Sequence, residues 1–286
     1  MTQRSNNFYI DIAREKGERR GQIMIGKVFL IGGGPGDPDL LTVKATRLLN
    51  TADVVLHDDL IGRTILDLVP EGALIENVGK RAGGKHHSQQ LINNKMIYHA
   101  ALGRRVVRLK GGDPMLFGRA GEEVEALRAA GIDFEVVPGV TAALAASAEG
   151  RFPLTDRALA SSVLFVSGHS CAGSDGVNWN AAIATGATLV IYMPGDHTSL
   201  MMTLLREGAD PALPCALISH VSLPSQMIKN CSLMELASMP PKNKPSLLVI
   251  GKVLEHGRAD AALSFIPEIA CANSFVESNR VRVEAE

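Results

Sequence analysis

The stretch RVVRLKGGDPMLFGRAGEE, Arg105–Glu123, decides how the rest of the chain is read. An apolar run interrupted only by Arg108 and Lys110 stops at Gly111-Gly112-Asp113-Pro114, and a helical segment is expected to resume at once, with Arg119 at the join. A short continuous apolar run bounded by glycine marks a strand covered on both faces, and therefore a parallel sheet. At the carboxyl end of such a strand a ligand site is the default expectation.

The same pattern repeats on either side. KVFLIG (27–32), DVVLHD (53–58) and RRVVRL (104–109) predict strands that alternate with helical segments from Ile25 to Pro138. After the first strand, Leu40, Leu41, Ala45, Leu48 and Leu49 fall on one helical stripe. Pro138-Gly139 then breaks the texture and opens a small-residue helix in VTAALAASAEG, beyond which SVLFVSG, ATLVIYM, CALISHV and SLLVIGKV predict four more strands. The expected organisation is a polar extension over 1–25, an N-terminal α/β domain over 26–138, a C-terminal α/β domain over 139–256 and a tail over 257–286. Each domain should hold a mixed or mostly parallel sheet flanked by helices, with the active-site cleft between them.

Composition excludes several classes. The 286 residues are 46% hydrophobic, enough for a sizeable core, while a net charge of −1 and 4% aromatics argue against a dedicated nucleic-acid binder. Cys171, Cys215, Cys231 and Cys271 form no CxxC pair, so neither a metal cage nor a disulfide framework is expected, and a reducing cytoplasmic compartment fits. There is neither a secretory h-region nor a run approaching the roughly 20 apolar residues of a membrane span. His86-His87 reads as a solvated pair rather than a ligand set.

The first glycine loop, GGGPGDP (32–38), stands where a dinucleotide fingerprint would stand. Counting from Gly32, Asp37 replaces the third glycine, Pro35 has no N–H for a pyrophosphate, and the Asp37 carboxylate occupies the place of a phosphate. Asp37 as N-cap and Pro38 at the first helical position account for the end of the loop but not for its glycines, which imply close approach of backbone to a ligand or another segment. In the second loop Gly111 and Gly112 would allow the same approach, and Asp113 could accept hydrogen bonds from ribose hydroxyls or an ammonium group. Alternatively, Asp113 and Pro114 only start a helix.

GGGPGDPDLLTVKA, VGKRAG, VVRLKGGDPMLFGRAGEE, VVPGVTAA, PLTDR and VSGH, in this order, resemble the motif series of the tetrapyrrole methylase family, in its uroporphyrinogen-III C-methyltransferase branch. The resemblance runs from about Lys27 to Val253. It implies a two-domain α/β homodimer that holds S-adenosylmethionine in the interdomain cleft and methylates uroporphyrinogen III at C2 and C7 to precorrin-2, for sirohaem or cobalamin synthesis. The cofactor contacts it implies are Pro35, Gly111, Gly112, Asp113, Leu116, Thr141, Ala142 and Met193. Asp58 matches the family's proton acceptor and Lys80 its proton donor.

Between Asn77 and Gly112 there is no acidic residue, while Lys80, Arg81, Lys85, Lys95, Arg104, Arg105, Arg108 and Lys110 are all basic, which suggests an anionic partner. Arg81, Arg119 and Arg157 are the expected contacts to substrate carboxylates, which a guanidinium fork suits; Lys95, Arg104 and Arg105 are expected to solvate a helix end and a turn. Four positions depart from the family pattern: Asp59 where arginine is usual, Ser219 for glutamate, Val221 for glycine and Asn178 for aspartate. Two alternatives stay open: a methyltransferase of the same architecture acting on another corrinoid intermediate, and a protein that binds the cofactor and tetrapyrrole with weakened chemistry. A bifunctional sirohaem synthase is disfavoured, because no NAD-type segment precedes Lys27.

Overall fold

A computed structural model of the chain describes residues 25–79, 88–168, 176–239 and 245–256. The first half builds a five-stranded parallel sheet from β1 (Val28–Gly32), β2 (Val54–His57), β3 (Leu74–Asn77), β4 (Val106–Lys110) and β5 (Phe134–Val137), in the order β3-β2-β4-β1-β5. Its central strands are buried throughout, Arg108 and Lys110 of β4 included, as the apolar runs around them require when helices cover both faces. Alternation sends Val28, Leu30, Val54, Leu56 and Val106 beneath the helices Gln89–Ala101 and Ala120–Ala129. Phe29, Ile31, Val55, Val107 and Leu109 face the helices Val43–Leu49 and Arg63–Leu66.

The second half forms a mixed sheet from β6 (Val163–Ser167), β7 (Thr188–Tyr192), β8 (Pro214–Ser219), β9 (Met227–Ser232) and β10 (Ser246–Ile250), ordered β6-β7-β10-β8-β9. Only β6 and β7 run parallel; the other neighbours are antiparallel. One face packs on His197–Arg206 and Trp179–Ala184. The other packs on the helix Ala142–Glu149, where Ala143, Ala145 and Ala146 let the helix lie close against Val190, Ala216 and Val249. Asn178 caps the helix Trp179–Ala184, its side chain accepting from the Ala181 N–H at 3.0 Å.

Three local expectations change. The helix after β1 starts at Val43, because Thr42 accepts from the Ala45 N–H; Leu40 closes a separate 3₁₀ turn over Pro38–Leu40, capped by Asp37. The helix after Gly111-Gly112 starts at Ala120 rather than at Pro114. Asp113 Oδ1 takes the Met115 N–H at 2.8 Å, and Phe117 and Arg119 hold φ of 52° and 55°, so the chain leaves the helical path until Arg119 caps Ala120–Ala129. Strands β3 and β9, with the sequences LIEN and MIKNCS, lack the apolar runs that announce the others.

Backbones of three loops meet at the ends of β1, β4 and β5. Gly34 and Gly112 exchange N–H···O bonds of 3.2 and 2.7 Å, and the Gly33 N–H donates to the Lys110 carbonyl at 2.7 Å. A Cβ on Gly139 would stand 2.3 Å from the Gly112 oxygen and 2.8 Å from Gly32 Cα. Gly139→Ala should therefore destabilise the fold by about 1–3 kcal/mol. Gly121→Ala, in a helix with nothing within 4 Å of the added methyl, should stabilise it by about 0.5–1 kcal/mol. Urea midpoints that coincide for the two variants would refute this junction.

Candidate active site at the strand ends

The strand order places β1 beside β4, and each crossover passes the other strand: the chain leaves β1 across β4 to reach β2 and leaves β4 across β1 to reach β5. The loops after the two strands therefore flank a crevice at the carboxyl edge of the sheet, the edge at which ligands of open α/β sheets bind. Pro35, half-buried, belongs to the loop after β1; Gly111, Gly112, Asp113 and the half-buried Leu116 belong to the loop after β4. Thr141 and Ala142 open the helix that follows β5. Asp113 ties two of these loops together: Oδ2 accepts from the Gly139 N–H at 2.9 Å while Oδ1 caps its own turn. It is a loop brace whose remaining acceptor capacity faces outward, not the N-cap of a helix.

The second sheet closes over this crevice. The Tyr192 hydroxyl, at the end of β7, lies 2.5 Å from Thr141 Oγ1 and accepts from the Ala143 N–H at 3.2 Å. Its ring packs against Phe117 at 5.0 Å between centroids and edge-on to Phe165 at 6.1 Å. Burial raises the Tyr192 pKa above the ordinary phenol value. Met193 follows with φ 51° and is exposed, not core, and the absence of a Cβ on Gly168 lets the two backbones touch. Beside the first loop, the Asp37 N–H donates to Ser222 Oγ at 3.1 Å, and Leu223 fills the space a Gly36 side chain would need. A cavity of about 410 Å³ there is lined by Asp37, Glu149, Ser222 and Gln226 among others, with two carboxylates and neither Lys nor Arg among its described lining residues.

Asp58 stands just past β2, its N–H bonded to the Leu109 carbonyl on β4. One carboxylate oxygen pairs with Arg108, whose Nε reaches Glu123 at 2.9 Å; Lys110 Nζ meets the same glutamate at 3.0 Å. Burial alone would depress the Arg108 pKa, but Asp58 and Glu123 outweigh it and hold the group above its ordinary value. The Lys110 ammonium is lowered by burial, with Arg108 adding to the effect.

These pairs correct the reading of the basic block. Arg108 and Lys110 face inward and are neutralised within the fold, Lys95 pairs with Glu76, and Arg104 bonds His99. None of the four is an open anion contact. Arg119 is exposed and forks onto Glu122 at 2.7 and 2.8 Å, a surface pair that can exchange partners at little cost. Arg157 is exposed in the turn Asp156–Ala160, and Lys80 and Arg81 lie outside the described residues. Among the departures, Asp59 accepts from Asn77 at 3.0 Å and covers Gly79. Val221 is buried against the helix Ala142–Glu149, so its bulk is taken up by core, and Ser219 is a buried member of β8.

Tyr192 is the site residue that sequence reading missed. In ATLVIYM it is one more strand residue, and only the folded chain brings its hydroxyl to a helix N-terminus that is 51 residues distant. Tyr192→Phe should cost about 0.5–1.5 kcal/mol of stability, as loss of a partly buried hydroxyl with two partners demands. An unchanged denaturation midpoint would show that these contacts carry no load.

Comparison with known proteins agrees with this geometry. Residues 27–237 match the family model Tetrapyrrole (Corrin/Porphyrin) Methylases. A siroheme synthase of Psychrobacter sp. (strain PRwf-1) is 44% identical over 234 residues, covering 80% of this chain and 48% of the relative. The chain thus spans about half the length of the curated relatives it matches. The native form of uroporphyrin III C-methyl transferase from Thermus thermophilus superposes with a TM-score of 0.70 at 40% identity, covering 80% of this chain and 99% of that one. The same Thermus enzyme complexed with S-adenyl homocysteine gives 0.70 at 38% identity, over 80% and 93% of the two chains. On the family model and the shared architecture, this chain belongs to the tetrapyrrole methylase family.

Proposed function

We propose that the chain methylates uroporphyrinogen III at C2 and C7, using S-adenosylmethionine. The observation that carries this reading is the junction of three glycine loops at the carboxyl ends of β1, β4 and β5, facing the Tyr192-braced helix N-terminus, with Asp58 one strand away. The reading includes a cytoplasmic homodimer whose subunits divide at Pro138-Gly139, into 26–138 and 139–256.

The residues fit this methyl donor. Pro35 and Asp37 refuse a phosphate, the described lining of the adjacent cavity carries carboxylates without basic partners, and a sulfonium with its ammonium group is cationic. Pro35, Gly111, Gly112, Leu116, Thr141, Ala142 and Met193 would hold it through backbone and apolar contact, and Asp113 would orient the loops that do so. S-adenosylmethionine supplies, when bound, an electrophilic methyl group that a pyrrole carbon can take. The protein's share is orientation, which has a ceiling of about 7–11 kcal/mol, and proton handling. Asp58 would accept the proton that the methylated ring system loses, restoring its neutrality, and Lys80 would donate a proton or hold a propionate.

The substrate assignment draws on exposed apolar side chains around the crevice. Leu60, Met115, Phe117 and Met193 are exposed in loops at the strand ends, and exposed Phe165 packs on Tyr192. Such a rim is unusual on a solvent-facing surface and suits a flat macrocycle, while Arg81, Arg119 and Arg157 would take its peripheral carboxylates.

Incubation with labelled S-adenosylmethionine and enzymatically generated uroporphyrinogen III should yield a product carrying two added methyl groups by mass. Binding of S-adenosylhomocysteine without methyl incorporation would overturn the catalytic reading. Asp58→Ala should lower kcat by about 10²–10⁴-fold while leaving S-adenosylhomocysteine affinity within about twofold. Asp113→Ala should instead weaken that affinity at least about tenfold, roughly 1.4 kcal/mol, by calorimetric titration; unchanged affinity would remove Asp113 from the donor site.

A further inference from the structure

Arg108 and Lys110 are two residues apart on the central strand β4, so both point to the face that otherwise packs Val106 against Val124 and Leu127. Their side chains are 3% exposed, and Glu123, between them, is fully buried. Gln89 Nε2 also donates to Glu123 at 3.3 Å, and Arg108 Nη1 donates to the Leu56 and Leu109 carbonyls at 3.3 and 3.2 Å. A face built for stability alone would carry apolar residues, because a buried ion pair recovers its desolvation cost only with difficulty. Of the four charged groups only Asp58 reaches solvent, with 30% of its side chain exposed. The network runs from a buried anchor to one carboxylate at the mouth of the crevice.

We propose that Arg108 is a positioning residue for Asp58. Its guanidinium holds Oδ1 and leaves Oδ2 as the oxygen open to substrate, while Glu123 and Lys110 fix the guanidinium in turn. The inference rests on the role proposed for Asp58. The fork is essential to it: one nitrogen engages Asp58, another engages Glu123 and a third reaches two carbonyls, which an ammonium on a flexible stem cannot reproduce. The same residues tie the proton acceptor to the donor-binding loop, since the Lys110 carbonyl receives the Gly33 N–H and its side chain runs beneath Gly118.

The charged and titratable groups around Asp58 are Arg108 from β4 and, behind it, Glu123 from the helix Ala120–Ala129 and Lys110. His57, whose Nδ1 lies 2.9 Å from the Asp58 carbonyl, and the adjacent Asp59 complete the set among the described residues. A nearby cation favours the ionised carboxylate and a nearby anion disfavours it. Arg108→Lys replaces the fork with a single ammonium that cannot hold Asp58, Glu123 and the two carbonyls at once. Glu123→Gln keeps the fork but removes the anion that anchors it from behind.

Carbon-13 spectra of the aspartate side chains of the full chain at fixed pH, with the Asp58 resonance assigned by its loss in Asp58→Asn, should show that resonance displaced in both variants, a readout that needs no turnover. In methyl-transfer assays Arg108→Lys should lower kcat at least about tenfold, with S-adenosylhomocysteine affinity within about twofold. A purely structural role would lower stability in both variants and leave kcat and the Asp58 resonance of the folded protein as in the parent. Should Arg108→Lys fail to fold, the resonance and kcat of Glu123→Gln decide. An unmoved Asp58 resonance and parental kcat, in the presence of an inactive Asp58→Ala, would overturn the proposal; an active Asp58→Ala would overturn the role of Asp58 itself.

Discussion

Close backbone contact without side chains is the constraint on which this structure depends. At the carboxyl ends of β1, β4 and β5 the Gly32–Gly139 contact draws loops to distances that a Cβ would prevent, and the Gly34–Gly112 hydrogen-bond pair is made by two residues with φ of 68° and 64°. The compactness of that junction sets the position of everything around it. Thr141 and Ala142 begin their helix at the edge of the crevice, Asp113 spans two loops, and Tyr192 can reach both Thr141 and Ala143 from the other sheet.

Charge is arranged on the same plan, inside for geometry and outside for recognition. The quartet of two acids and two bases is electrically balanced, and removal of one of its three buried members costs about 3–5 kcal/mol in comparable settings because the others are left uncompensated. That cost makes the arrangement poor as mere packing and effective as an orienting device. The exposed Arg119–Glu122 fork, by contrast, is cheap to open. The exposed Arg119 and Arg157 and the carboxylate-lined cavity beside the first loop leave charges of opposite sign at different places on the surface.

The departures at Asp59, Ser219, Val221 and Asn178 have structural accounts that a motif comparison lacks. Asp59 folds back on Asn77 and Gly79, Val221 fills core beneath the helix Ala142–Glu149, Ser219 is buried within β8, and Asn178 caps a helix. Each serves the fold where it stands, and the junction of glycine loops is untouched by all four.

Much of the architecture was legible from the amino acids alone. Strands β1, β2, β4, β6, β7, β8 and β10 announce themselves by their largely apolar runs, and the glycine loops after β1 and β4 mark two of the strand ends that meet at the junction. The strands β3 and β9 did not, because edge strands with one open side can carry Glu76, Lys229 or Asn230. The charges of Arg108 and Lys110 were visible too, but their partner was not: a residue's sign can be read from its letter, whereas what neutralises it depends on which helix folds over it. Tertiary structure alone decided that Glu123 lies between them, that Asp58 receives one arm of the guanidinium, and that Tyr192 meets Thr141. Such contacts join residues remote along the chain, and only the packing of one sheet against its helices and against the other sheet brings them within hydrogen-bonding distance.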